Sequence, residues 1–152
     1  MLPACKGGIM IYSPLVKKAV QIAMIYHAHQ FDKGGYPYIL HPLHVAEHMD
    51  DEDSTIVALL HDVVEDTNCT LQNLAGTFSP TIVDAVDAVT RREGEDYFDY
   101  IRRVATNEIA RKVKTADLIH NLDESRLSDA KQDASRKSRY EKALSILSNP
   151  SS

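Results

Sequence analysis

The chain has 152 residues, 43% of them hydrophobic and 26% charged, with a formal net charge of −5 and a pI near 5.8. That is enough chain and apolar surface for one domain with one core, and the acidic balance argues against a general binder of DNA or RNA polymers, which carries a basic excess. Two cysteines, Cys5 and Cys69, lie in no metal-ligand spacing and read as free thiols of a reducing compartment; with no signal-like or membrane-spanning apolar run, a cytoplasmic protein that engages no membrane is expected.

Ser13 followed by Pro14 is a helix cap with proline at the first helical position. Leu15, Ala19, Ile22, Ala23 and Tyr26 then recur at three- and four-residue steps, which predicts a helix to about Gln30. Residues 32–37 carry two glycines and a proline and read as a loop. A short helix is expected from near His41 to near Asp50. Asp53 or Ser54 is expected to cap the next helix, whose apolar face of Ile56, Val57, Leu59, Leu60, Val63 and Val64 runs on past His61. Thr70 starts a short helix through Leu74, and Ser79 with Pro80 opens one from about Thr81 to Thr90. Helical patterns follow near residues 96–106 and 108–122, and a last amphipathic stretch, 135–147, reads as peripheral. No period-two strand pattern is found, so an all-α helical bundle is expected. The division expected is an N-terminal extension (1–12), a main domain (13–130) and a C-terminal peripheral helix and tail (131–152).

The segment ALLHDVVEDT, residues 58–67, carries the strongest chemical signal. His61 and Asp62 each have an acidic residue four positions later, Glu65 and Asp66, and on a helix such pairs share a face. Like charges at that spacing repel, and a divalent cation would offset them. His41 stands just before Pro42 at an expected helix start, and Asp117 lies on the apolar side of a later helix with Asn121 four residues on. A buried carboxylate without a partner is costly; metal ligation is one solution, and a salt bridge to Lys114 or Arg111 is another. Two imidazoles and two carboxylates form a mixed set that suits Mn²⁺, Fe²⁺ or Zn²⁺.

Together these residues give a pattern of His, His-Asp and Asp in that order. Lys33, Gly35, the block at 37–42, LLHDVVEDT (59–67) and the spaced block at 113–121 extend it. Over about residues 15–127 the chain resembles the HD-domain metal phosphohydrolases. More narrowly, it is similar to the hydrolase half of the Rel/Spo alarmone enzymes and to the small alarmone hydrolases. The resemblance implies an HD-domain helical bundle and a metal site of His41, His61, Asp62 and Asp117, with Mn²⁺ as the ion. It further implies a catalytic acidic pair of Glu65 and Asp66, of which either could carry the proton, and nucleotide contacts from Lys33 and Asn121.

The implied reaction is removal of pyrophosphate from the 3′ position of guanosine tetra- or pentaphosphate, in a hydrolase-only form. The partner expected is thus a small phosphorylated nucleotide, with the oligomeric state open. Lys33, Arg91, Arg92, Arg102, Arg103, Lys112, Lys114 and Arg126 are candidates to neutralise phosphate charge.

The chain also departs from the family pattern. Asp32 stands where these hydrolases commonly have a base-holding Arg, and Asp123 and Glu124 stand where a basic residue often follows, with Arg126 placed to restore the charge. Two alternatives follow: the same metal chemistry on another phosphorylated nucleotide or dinucleotide, and a non-catalytic nucleotide-binding regulator. Among the other histidines, His120 is expected to support the metal ligands, because it neighbours Asp117 and Asn121. Tyr97 and Tyr100 are expected to serve packing.

Overall fold

The computed structural model describes residues 9–123 and 134–149. They form α1 (Pro14–Tyr26), α2 (Leu40–Glu47), α3 (Glu52–Leu60), α4 (Val63–Asp66), α5 (Leu71–Ala75), α6 (Pro80–Val89), α7 (Tyr97–Ala105), α8 (Glu108–Leu122) and α9 (Ala134–Ser148). The fold is all-α; among the described residues, extended pairing is limited to one isolated bridge, Phe31 with Pro37. Among the described residues, no helix is long and apolar enough to cross a membrane.

The caps explain most boundaries. Ser13 accepts the Val16 amide, Thr70 and Asn73 form a reciprocal capping box, and Ser79 accepts the Ile82 amide. Asp96 and Asn107 cap α7 and α8 in the same way. The cap of α3 is Asp51, which accepts the Ser54 amide at 2.7 Å. The expected caps, Asp53 and Ser54, lie inside the first turn, and Ser54 is fully buried.

Helix α3 is the centre of the molecule. Every residue from Ser54 to Leu60 is buried, and the helix packs against α1, α2, α6 and α8. Ile56, Leu59 and Leu60 join Val16, Val45, Val86 and Val113 in the main core. A second core of Val89, Ile101, Val104 and Leu118 is closed by Ala143 and Leu147 of α9. Fully burying such side chains stabilises by about 1.5–3 kcal/mol each, so this layer sets the frame on which the polar residues sit.

Further boundaries differ from the sequence expectation, α2 ending at Glu47 and not near Asp50 among them. Helix α1 ends at Tyr26, not at Gln30, because residues 27–30 turn back: the Gln30 amide bonds to the His27 carbonyl, and the Gln30 carbonyl accepts the Tyr38 amide. The expected single helix through 58–66 is broken. Helix α3 stops at Leu60, and Asp62 takes φ −106° and ψ −2°, a sparsely populated region common at active sites. The apolar periodicity runs straight through this break, so it left no mark in the pattern.

Candidate metal centre and active site

Three elements deliver the cluster. His41 sits in the first turn of α2, His61 and Asp62 form the α3–α4 turn, and Asp117 is on the inner face of α8. His61 and Asp117 are only 2% and 3% exposed, so both need partners. His41 Nε2 lies 2.7 Å from Asp117 Oδ1; His61 Nε2 lies 3.4 Å from that oxygen and 3.1 Å from Asp62 Oδ2. His41 Nε2 is 4.0 Å from Asp62 Oδ2. One ligand atom each from His41, His61 and Asp117 fits within 4.8 Å of the others.

The tautomer of His61 is set by its backbone contact. Nδ1 donates to the Ala58 carbonyl at 2.6 Å, so Nε2 is the nitrogen that faces the carboxylates. That Nε2 is buried and has no hydrogen-bond partner among the described residues. An orphaned imidazole nitrogen amid two carboxylates and a second imidazole is what a divalent cation with mixed nitrogen and oxygen ligands requires. The residues present therefore fit the ion.

The neighbours hold these groups in place. Burial alone would push the His61 imidazole down, but the Asp62 and Asp117 carboxylates outweigh it and hold its pKa well above the ordinary value. Burial likewise raises Asp117, yet Lys114 and the two imidazoles bring it well below the usual carboxylate range. Lys114 Nζ donates to Asp117 Oδ2 at 2.8 Å, so the salt bridge and the cluster coexist on one carboxylate. Asp62 is pulled to about 2 against its own burial, chiefly by His61. Tyr38 donates its hydroxyl to Asp62 Oδ2, and Asn121 donates to Asp117 Oδ1 at 3.3 Å. His120 stands behind His41, the two Nδ1 atoms 2.7 Å apart and the rings stacked at 4.8 Å, matching its expected supporting place.

Glu65 and Asp66 sit on the single turn of α4, beside the cluster. Glu65 Oε1 accepts the Arg91 amide at 2.8 Å, which ties it to the loop after α6. Asp66 is exposed as a residue, yet its carboxyl is pushed up to about 6, first by desolvation and then by the charges of Asp62 and Glu65.

Two recesses open nearby, one at His41 and one at Glu65. One, of about 890 Å³, is lined by His41, Lys33, Asn121, Phe31, Tyr36 and Arg136, among others. The second, about 830 Å³ and more open, runs from Glu65 along residues 91–97. Lys33 and Asn121 thus share a wall, while Arg126 lies outside the described residues. Asp32 also lines the first recess, but its Oδ1 accepts the Gly34 and Tyr36 amides at 2.8 and 3.0 Å and so builds the turn that Gly35 completes at φ +86°.

Several candidate phosphate-binding cations are paired within the fold. Arg103 grips Glu95 through two bonds of 2.9 Å, Arg102 pairs with Asp99, Arg92 with Asp87, and Lys112 with Asp50 and Asp51. Sequence reasoning did not single out Tyr38 or Arg136. Tyr38 was in view within the 37–42 block, but only the fold brings its hydroxyl to Asp62, 24 residues away. Arg136 sits on α9, a helix whose pattern reads as peripheral.

The chain is similar to several known proteins. The family model described as "HD domain" matches residues 19–139. A probable GTP pyrophosphokinase of Mycobacterium leprae is 36% identical over 121 residues, covering 71% of this chain and 15% of that protein. A guanosine-3′,5′-bis(diphosphate) 3′-pyrophosphohydrolase of Borreliella burgdorferi is 33% identical over 122 residues, covering 69% of this chain and 18% of that protein. The chain spans less than a fifth of the length of these relatives. A solved structure, described as a metazoan ortholog of SpoT that hydrolyses ppGpp and plays a role in starvation responses, matches with a TM-score of 0.70 at 24% identity. That match covers 91% of this chain and 88% of the other.

Proposed function

Because the chain belongs to the HD-domain family, we propose that it is a metal-dependent hydrolase that removes pyrophosphate from the 3′ position of guanosine tetra- or pentaphosphate. The observation that carries the reading is the buried, unpartnered Nε2 of His61, set among His41, Asp62 and Asp117. Those four residues would hold one divalent ion, with Mn²⁺ the ion assigned. When bound, it supplies a strong local positive charge and lowers the pKa of water toward neutrality. The activity for which the Borreliella burgdorferi relative is named points to the substrate class.

The side chains then divide the work. Asp66, four residues beyond Asp62 on the α4 turn, is suited to deliver a proton to the leaving 3′ oxygen. Glu65, anchored to the Arg91 amide, orients the attacking water. The reaction breaks the bond between phosphorus and the 3′ oxygen and restores the 3′ hydroxyl. Lys33 and Asn121 line the adjoining recess, where Phe31 and Tyr36 offer flat apolar surface to a base.

A second reading keeps the chemistry and changes the nucleotide. It is favoured by Asp32 and Asp123, two acidic residues in the same recess wall. The test is incubation of manganese-loaded protein with guanosine tetraphosphate and with a panel of other phosphorylated nucleotides. Stoichiometric release of pyrophosphate and guanosine diphosphate from the tetraphosphate supports the first reading. Turnover of another nucleotide in its place supports the second, and turnover of none, with metal bound, sinks both.

A further inference from the structure

The acid–base pair stands on a helix that cannot hold itself. Helix α4 has four residues, one turn, and a single turn is unstable in isolation. Its orientation therefore depends on bonds from elsewhere in the chain. One comes from Gln30, whose Nε2 donates to the Asp66 carbonyl at 3.0 Å across 36 residues of sequence. That carbonyl lies in the last turn, where no intrahelical donor is available.

Gln30 is itself oriented. Its Oε1 lies 2.7 Å from Nδ1 of His27, which is 2% exposed. A carbonyl only accepts, so the amide nitrogen must face Asp66 and the amide oxygen must face His27. His27 Nδ1 then carries the proton. Its Nε2, buried without a hydrogen-bond partner among the described residues, is the nitrogen left bare. The backbone of the same residue makes a second connection: the Gln30 carbonyl accepts the Tyr38 amide at 2.8 Å, and the Tyr38 hydroxyl binds Asp62. One residue thus touches the helix of the acidic pair with its side chain and the support of a metal-cluster carboxylate with its backbone.

We infer that Gln30, oriented by the Nδ1 proton of His27, is a positioning residue that keeps Glu65 and Asp66 in register with the His41, His61, Asp62 and Asp117 cluster. This rests on the reading of Glu65 and Asp66 as the acid–base pair. Misplacement of reacting groups by about 1 Å can cost on the order of 10²-fold in rate, so one hydrogen bond that sets the aim of α4 has a measurable effect.

Four variants test it: Gln30→Leu, Gln30→Glu, His27→Leu and His27→Asn. Glu keeps the acceptor toward His27 but turns an oxygen on the Asp66 carbonyl. Asn places an amide N–H where Nδ1–H was. The readouts are steady-state hydrolysis of guanosine tetraphosphate with manganese, and amide hydrogen exchange in the metal-free proteins. Both Gln30 variants and His27→Leu should lose about tenfold or more in kcat, with KM within about twofold, because the loss falls on the transition state. Asp66 and Thr67 amides should exchange faster in these three, with α6 protection unchanged. His27→Asn should recover most of both.

Gln30→Leu with wild-type kcat and wild-type exchange in α4 overturns the inference, as does equal damage in His27→Asn and His27→Leu, which would mark His27 as packing alone. Should His27→Leu fail to fold, the Gln30 pair, at a half-exposed position, still decides. A wild type that leaves guanosine tetraphosphate intact defeats the proposed function, and the exchange comparison then decides the positioning role alone.

Discussion

Asp66 and Tyr38 show how much depends on single side chains around the cluster. If Asp66 carries the proton to the leaving oxygen, Asp66→Asn should keep the fold and the metal yet lower turnover on the order of 10²-fold. Parallel metal analysis and rate measurement check this; a wild-type rate removes Asp66 from the chemistry. Tyr38 bonds to Asp62, one of the candidate ligands. Removing the hydroxyl that binds Asp62, in Tyr38→Phe, should weaken metal binding by about 10–100-fold, the usual scale for a lost supporting partner, which a manganese titration measures. The four candidate metal ligands stood out in sequence because they lie in three spaced blocks with strong apolar flanks, and the fold brings them together. Tyr38 and Gln30 were not singled out, because their partners are 24 and 36 residues away and nothing local marks the direction of a polar side chain. Asp32 was read as a missing base contact; the fold adds that its carboxylate also builds its own loop.

Helix ends and connecting loops carry the next layer. If Asp51 caps α3, Asp51→Ala should cost about 1 kcal/mol of stability, while Asp53→Ala should stay within about 0.5 kcal/mol; thermal denaturation of the two side by side separates them. The loop at 91–96, which holds Glu65 through the Arg91 amide, is itself pinned by the two-bond Glu95–Arg103 pair. The hydrogen bond to Arg103 brings the Glu95 carboxyl from its ordinary 4.5 down to about 2. A depressed carboxylate stabilises the fold fully above its unfolded value, and that stability is lost as pH falls through the folded one. Unfolding measured between neutral pH and about pH 2 should therefore show a Glu95 contribution fading below about 4.5, and Glu95→Gln should flatten the curve in that window. Equal slopes in the two proteins would mean that the pair is absent in solution. At this scale, caps with clear chemistry gave good boundaries: α8 spans Glu108–Leu122, as its pattern predicts, and Ser79 opens α6. The break at His61 was hidden because Leu60 and Val63 are both buried and keep the periodicity intact across the turn.

For the molecule as a whole, the cluster draws on α2, the α3–α4 turn and α8, so a bound ion would cross-link elements from both halves of the chain. A ligand that binds only the folded state stabilises it by about 2.7 kcal/mol at 100 times its dissociation constant. Manganese should thus raise the melting temperature, a chelator should reverse the rise, and His61→Ala should abolish the response. The bundle class was readable from periodicity alone. The shape of the two recesses was not, since it depends on how α9 and the loops at 31–36 and 91–96 come around the cluster. The most direct test of the central claim is anomalous diffraction from crystals grown with manganese. One peak per chain is expected, with His41, His61, Asp62 and Asp117 contributing ligand atoms at about 2.0–2.6 Å. A manganese-saturated crystal with no peak at that cluster, or with the ion bound elsewhere, would contradict the account.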